Sequence, residues 1–222
     1  FYQAIDIDGI RKTVMRGASN PSALLVGPGV NGFQPDMKRL PYDVRAVQRL
    51  MTEAGYGSGF EITLNCPSDR YVNDALICQA VAANLARIQV KVRVQAEPKA
   101  SYFPKVLRRD TSFYLLGWTP ATYDAYNAMN ALMACVDGKG AGQYNLGSYC
   151  NPRVDELTRR VLTEQDKDRR NAMIREAFQL HAADVGHIPL HQQALAWGVS
   201  TKASVVQLAD NAMPFKWMSI SP

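Results

Sequence analysis

Between Phe60 and Val94 the apolar residues change period twice, and that change limits the folds open to the chain. Phe60, Ile62 and Leu64 alternate with Glu61 and Thr63, the two-residue period of a strand with one buried face. Cys78, Val81 and Leu85 then share a helical face in a segment that Ser68 or Asp69 would cap and that runs to about Arg87. Val90, Val92 and Val94 restore the strand period. A helix over Val44, Val47, Leu50 and Met51, capped by Asp43 and ended by Gly55, precedes this unit. Helix, strand, helix and strand therefore alternate, which predicts an α/β fold with a mixed sheet flanked by helices.

The flanking segments extend the pattern. Ile7, Ile10 and Val14 place an opening helix within Ile5 to Arg16, with Gly17 at its C-terminal cap. A loop from Ala18 to Pro41 carries Gly27, Pro28, Gly29, Asn31, Gly32 and Pro35; a connection that long wraps a surface or edges a site. Downstream, a helix near Ala100 to Arg109 leads into an apolar run, Phe113 to Leu116, that reads as a buried strand. Two helices, about Pro152 to Leu162 and Asp166 to Ala183, precede a strand-like tail from Ile188.

Composition closes off several functions. With 222 residues, 47% hydrophobic and 20% charged, the chain has the make-up of an ordinary globular domain with a sizeable core. The formal charge of +5 is modest, and from Arg153 to Glu176 bases alternate with acids, the pattern of solvated helix faces and not of a nucleic-acid footprint. No apolar run approaches the roughly 18 residues a membrane span requires; Ala131 to Val136 is far too short. Phe1 opens the sequence inside a helical pattern without an initiator Met or a leader, so the chain reads as cut from something longer.

Catalytic and cofactor motifs are absent at the spacings their chemistry needs. Gly57-Ser58-Gly59 lacks the spacing of a nucleophile elbow, and Gly27 to Gly32 is followed by no Lys-Ser or Lys-Thr that would complete a phosphate cradle. Of His181, His187 and His191, the last two have the spacing most worth weighing for a metal. Pro189 breaks a helix between them, and in a strand their side chains would stand roughly 13 Å apart at about 3.3 Å per residue, so a structural role is expected. Cys66, Cys78, Cys135 and Cys150 have no zinc-like spacing; if all pair, three connectivities are open. No cofactor, metal or enzymatic activity is expected.

One segment stands out. At the end of the buried strand, Gly117-Trp118-Thr119-Pro120-Ala121-Thr122-Tyr123-Asp124-Ala125-Tyr126-Asn127 releases aromatic and polar side chains where α/β sheets place their ligand crevices. Trp118, Tyr123, Asp124 and Asn127 are the candidate ligand-binding residues, since aromatic walls with few polar groups suit a small molecule. The alternative is that Trp118 and Tyr123 are core aromatics and Asp124 caps a helix over Ala125 to Met133; Asp124 can do both.

Five segments, in order, resemble the peptide and nickel family of ABC-importer solute-binding proteins. They are Gln3-Ala4-Ile5-Asp6 with Gly17-Ala18 and Pro21; Tyr42-Asp43 to Ala54-Gly55-Tyr56; the run ending at Gly117-Trp118; Tyr149-Cys150-Asn151-Pro152-Arg153-Val154-Asp155; and Ile188-Pro189-Leu190-His191. The resemblance implies a periplasmic-binding-protein-like C-terminal lobe over residues 1–187, and a return segment over 188–222 that packs toward an N-terminal lobe not included in this chain. It also implies a periplasmic or exported, membrane-associated protein that closes two lobes on a peptide-like or other small solute and delivers it to an ABC permease.

In that family the Trp of the Gly-Trp motif lines the cleft, which makes Trp118 the leading site residue. Peptide binders in the family carry an Asp three residues later that pairs with the ligand's α-ammonium, and here that position is Ala121. Either Asp124 substitutes or the solute is not an ordinary peptide. The implied oxidising compartment suits a Cys135–Cys150 bridge across the Gly-rich loop, worth on the order of 3 kcal/mol. Cys66 and Cys78 either pair or remain thiols. Two rivals carry different functions: a ligand-sensing domain of a transcription regulator with the same fold, and a small hydrolase using Asp124 with His187 or His191.

Overall fold

The structure is a computed structural model that describes residues 1–208 and 211–221. At its centre β2 (Phe60–Pro67) and β3 (Val90–Glu97) run parallel, in register from Phe60 opposite Val90 to Pro67 opposite Glu97. The crossover between them is α3 (Asp74–Ala86), whose Ile77, Cys78, Val81 and Leu85 pack on Leu64, Cys66 and Val90. Two further helices close this core: α1 (Ile7–Thr13) contributes Ile7 and Ile10, and α2 (Val44–Glu53) contributes Val47. Each begins at an aspartate, Asp6 accepting from Gly9 N and Asp43 from Ala46 N, which satisfies amides that an N-terminus otherwise leaves unpaired.

Next, α4 (Lys99–Leu107) sets Tyr102 and Val106 against Tyr114, Leu116 and Leu146, and the Tyr102 hydroxyl donates to Leu115 O at 2.6 Å. A second core joins α5 (Ala125–Ala128), the π-helical turn Met129–Met133, α6 (Pro152–Thr163) and α7 (Lys167–Ala183) around Met129, Met133, Leu157, Ile174 and Phe178. Loop residues Leu24 and Val26 belong to it, so the long connection after α1 wraps this core. One disulfide, Cys66–Cys78, ties the end of β2 to α3, and another, Cys135–Cys150, closes the loop before α6.

The fold is α/β with helices around parallel and antiparallel strands, and among the described residues the pairing is divided among three two-stranded sheets. β1 (Ser19–Pro21) pairs antiparallel with β4 (His191–Gln193), and β5 (Ala203–Ser204) with β6 (Ser219–Ile220). The buried run Phe113 to Leu116 joins β2 at a single bridge, Tyr114 to Asn65, with Asn65 N donating to Phe113 O and Leu115 N to Asn65 O. Two expected boundaries move. The opening helix covers only Ile7–Thr13, after a 3₁₀ turn over Tyr2–Ala4. Neither Ser68 nor Asp69 caps α3: Asp74 folds its carboxylate back onto Arg70 N and Tyr71 N, making a turn there, and Asp69 accepts from Lys99 N at the start of α4.

Beyond β4 the tail is open to solvent. Trp197 is 53% exposed, Phe215 86% and Ile220 82%. Residues 209, 210 and 222 of the 188–222 segment lie outside the described residues. Among the described residues no helix is long and apolar enough to cross a membrane.

Candidate ligand-binding face

The C-terminal ends of β2, β3 and the 113–116 run lie side by side because all three are parallel, and Ser68 N donates to Glu97 O to hold the first two together. Side chains emerge there from two loops. In the first, the buried carboxylate of Asp74 fixes Arg70 and Tyr71 by 3.0 Å bonds to both amides. The Tyr71 ring then lies on the backbone of Gly117, where a Cβ would come within 2.6 Å of Cε1, so glycine is what lets the two loops touch. Its hydroxyl donates to Gly117 O at 3.4 Å, and the Arg70 guanidinium sits 5.1 Å over the ring. Arg70 is exposed and forms no ion pair among the described residues.

The second loop carries the residues singled out from the sequence. Trp118 is half-buried at the rim of the second core, its Nε1 donating to Asn127 Oδ1 at 2.9 Å and its ring 5.0 Å from Tyr144. Trp118 and Asn127 are thus brought together. Asp124 caps α5, accepting from Tyr126 N, and also accepts from Arg170 Nη2 and Asn31 Nδ2, each at 2.8 Å. Burial pushes its carboxyl up, but the bonds from Arg170, Tyr126 N and Asn31 and the charge of Arg170 outweigh that and hold it below the usual carboxylate range. Tyr123 adopts a left-handed backbone with φ 54°, and its carbonyl accepts from Asn31 N at 2.8 Å.

Asn31 therefore clips the long loop to this segment on both sides of Asp124, since its own carbonyl accepts from Ala125 N. Gly32, with φ +88°, makes the close approach workable, because a Cβ would meet Ile174 at 2.8 Å and Ala125 at 2.9 Å. Sequence reasoning missed Arg70, Tyr71, Asn31 and Arg170. Arg170 sits in a run of alternating charge that gives no sign of which base turns inward. Tyr71 had one legible cue, its place just after a strand end.

The histidines form a pair that sequence spacing did not single out. His181, not His191, is the partner of His187: the turn at Val185 and Gly186 brings His181 Nε2 within 2.8 Å of His187 Nδ1, with the rings stacked 5.0 Å apart. Burial, then the neighbouring His187, pushes His181 down to about 3, and burial pushes His187 down to about 4. His191 stands in β4, with Nδ1 buried and unpartnered. Among the described residues no three His, Cys, Asp or Glu side chains gather as a metal site.

A profile described as "Bacterial extracellular solute-binding proteins, family 5 Middle" matches residues 1–140. The chain belongs to that family. Family 5 relatives include the dipeptide-binding protein of Pseudomonas aeruginosa, 24% identical over 190 residues, covering 84% of this chain and 35% of the relative. Another is the glutathione-binding protein GsiB of Pectobacterium atrosepticum, 28% identical over 206 residues, covering 90% and 39%. Among solved structures, the dipeptide-binding protein of Pseudoalteromonas sp. SM9913 in complex with Met-Leu superposes with a TM-score of 0.85 at 19% identity, over 99% of this chain and 44% of that one. HbpA2 of Haemophilus parasuis gives 0.80 at 18%, over 100% and 44%. The likeness to these structures gives the fold, that of periplasmic binding proteins. The chain spans little more than a third of the length of the curated family 5 relatives it matches.

Proposed function

We propose that this chain is the C-terminal ligand-binding lobe of a periplasmic solute-binding protein that supplies an ABC importer, capturing a peptide-like or other small solute without chemistry. The observation that carries the reading is the aromatic face at the ends of the parallel strands, where Tyr71 and Trp118 flank Gly117 under Arg70, which makes no ion pair among the described residues. Flat apolar rings with one cation suit a small solute bearing an acidic group. In this reading Trp118 is the wall, Asn127 orients its indole, and Tyr123 and Asp124 fasten the wall to the loop around Asn31. Asp124 already shares its carboxylate with Arg170 and Asn31, so it does not stand in for the ammonium-binding carboxylate that Ala121 lacks.

Residues 1–187 form the lobe, and 188–222 return toward the remainder of the protein. Support comes from Trp197, Phe215 and Ile220, large apolar side chains left in water by this chain alone. The test is calorimetric titration of the two-lobe protein with the solute that native mass spectrometry finds bound to it. Trp118→Ala should weaken that binding at least about tenfold, or 1.4 kcal/mol. An unchanged affinity would remove Trp118 from the site.

A further inference from the structure

Half of the aromatic face is presented by a short loop, residues 67–73, and the two sides of that loop are joined covalently. Cys66 stands at the end of β2 and Cys78 just past the first turn of α3, so their bridge, with a sequence separation of 12, encloses Arg70, Tyr71 and Asp74. Inside that span Ser68 N donates to Glu97 O, Val72 N donates to Gln193 Oε1, and Asn73 takes a left-handed backbone with φ 57°.

The start of α3 lacks an ordinary cap. Asn73 precedes the helix, but its side chain donates to Val14 O at 2.9 Å and caps nothing. Asp74 serves both sides instead: one carboxylate oxygen accepts from Arg70 N and Tyr71 N, and the other accepts from Ala75 N. An uncapped helix frays at its first turn. Fraying here would carry Asp74 away, and with it the two amides that set Arg70 over the Tyr71 ring and that ring on Gly117. The bridge fastens this turn to the strand end. Cys66 is 0%, Cys78 1% and Asp74 3% exposed, so none of the three is presented to a solute, and any effect they have on binding passes through the loop.

We infer that the Cys66–Cys78 bridge and the Asp74 carboxylate are positioning groups for solute binding: from beneath the face they keep the 67–73 loop ordered in the empty lobe, so that Arg70 and Tyr71 meet a solute already in place. The inference rests on the ligand-binding reading above. A loop that orders only on contact subtracts its lost freedom from the affinity, and a loop ordered beforehand does not. A cross-link restricts the disordered states of the segment it spans, which is the contribution this loop needs.

The test uses the two-lobe protein, titrated calorimetrically with Ala-Phe, with N-acetylphenylalanine and with any small molecule extracted from the purified protein, the tightest binder being carried to the variants. Cys66→Ala combined with Cys78→Val removes the bridge at nearly constant volume. It should raise the Kd at least about fivefold and, in the solute-free protein, speed tryptic cleavage after the exposed Arg70 at least about tenfold, with saturating solute slowing the cut again. Asp74→Ala, which keeps the bridge, should do the same, and Asp74→Asn, which keeps one oxygen for the two amides, should recover most of the affinity. Val47→Ala thins the same core from α2 and should lower the melting temperature while Kd and the Arg70 cut stay as in the wild type. Wild-type Kd and cleavage in either the bridge variant or Asp74→Ala would overturn the inference. So would a Val47→Ala protein that loses as much affinity, since binding would then follow global stability alone. If the bridge variant does not fold, Asp74→Ala decides by the same two readouts. A wild-type protein that binds none of the probes would remove the ligand-binding reading and this inference together, whereas equal binding by wild type and variants removes the inference alone.

Discussion

Replacing His187 by Gln should lessen the acid sensitivity of this protein between pH 7 and pH 5. His181 is only 4% exposed, and its imidazole shares one proton with His187 across 2.8 Å among Tyr2, Leu24, Leu25 and Phe178. Charging either ring places a cation in that apolar niche, so the folded chain resists protonation: His187 falls from 6.5 to about 4. In the unfolded chain the same imidazole titrates near 6.5. Both states are neutral above that value, so the stability of the neutral fold is fully present there. Below it the unfolded state takes up a proton that the folded state refuses, and stability is lost at up to about 1.4 kcal/mol per pH unit until the folded value near 4 is reached. For one histidine the loss from pH 7 to pH 5 is roughly 2 kcal/mol. Carboxylates held low, such as Asp124, titrate beneath this window, and His181 and His191, both lowered chiefly by burial, are common to both proteins. Urea unfolding at the two pH values should therefore show a stability loss smaller by roughly 2 kcal/mol in His187→Gln than in the wild type. Equal losses would mean that the pair is charged or solvated in the folded state, and the reasoning would fail.

Other outcomes follow from the same contacts. Asp124→Ala removes a helix cap and leaves Arg170 without its carboxylate, which should cost about 2 kcal/mol in denaturant unfolding at pH 7. Because that carboxyl is held low, its contribution is present above about pH 4 and disappears as pH falls further, so wild type and variant should converge in acid. Gly32→Ala combines a left-handed backbone with a methyl 2.8 Å from Ile174 and should lower the melting temperature by about 4 °C or more. Gly117→Ala acts differently: its methyl displaces only the Tyr71 ring, so solute affinity of the two-lobe protein should fall while its melting temperature holds within about 2 °C. Replacing Cys135 and Cys150 together by Ser opens a loop with a sequence separation of 15 and should cost about 3 kcal/mol in an oxidising buffer, a difference that reductant should erase.

What could be read from the sequence was whatever periodicity or a backbone cap encodes. The two-residue period at Phe60 to Leu64 and Val90 to Val94, and the caps Asp43 and Asp124, yielded elements where they stand. The Phe113 to Leu116 run did not become a full strand, because apolar composition reports burial and not pairing: its Tyr114 and Leu116 pack on α4, while one bridge suffices to orient it. The site divides along the same line. Trp118 and Asn127 could be picked out together as candidates from one segment after a strand, but the neighbouring Tyr144 and the Tyr71 ring opposite come from two separate loops, and no local pattern links them to it. Charge is the hardest to read. Arg70, Arg153 and Arg170 are the same residue type in a chain whose bases and acids alternate, yet one lies over the Tyr71 ring at the strand ends, one pairs with Glu156 and Glu176 in solvent, and one turns inward to Asp124. What separates them is where the backbone turns: the Asp74 clamp aims residue 70 outward, while the start of α7 after its Asp166 cap aims residue 170 at the second core. The cation left outward at the strand ends and the one turned inward to Asp124 are thus each placed by an aspartate, Asp74 and Asp166, that lies outside the aromatic face.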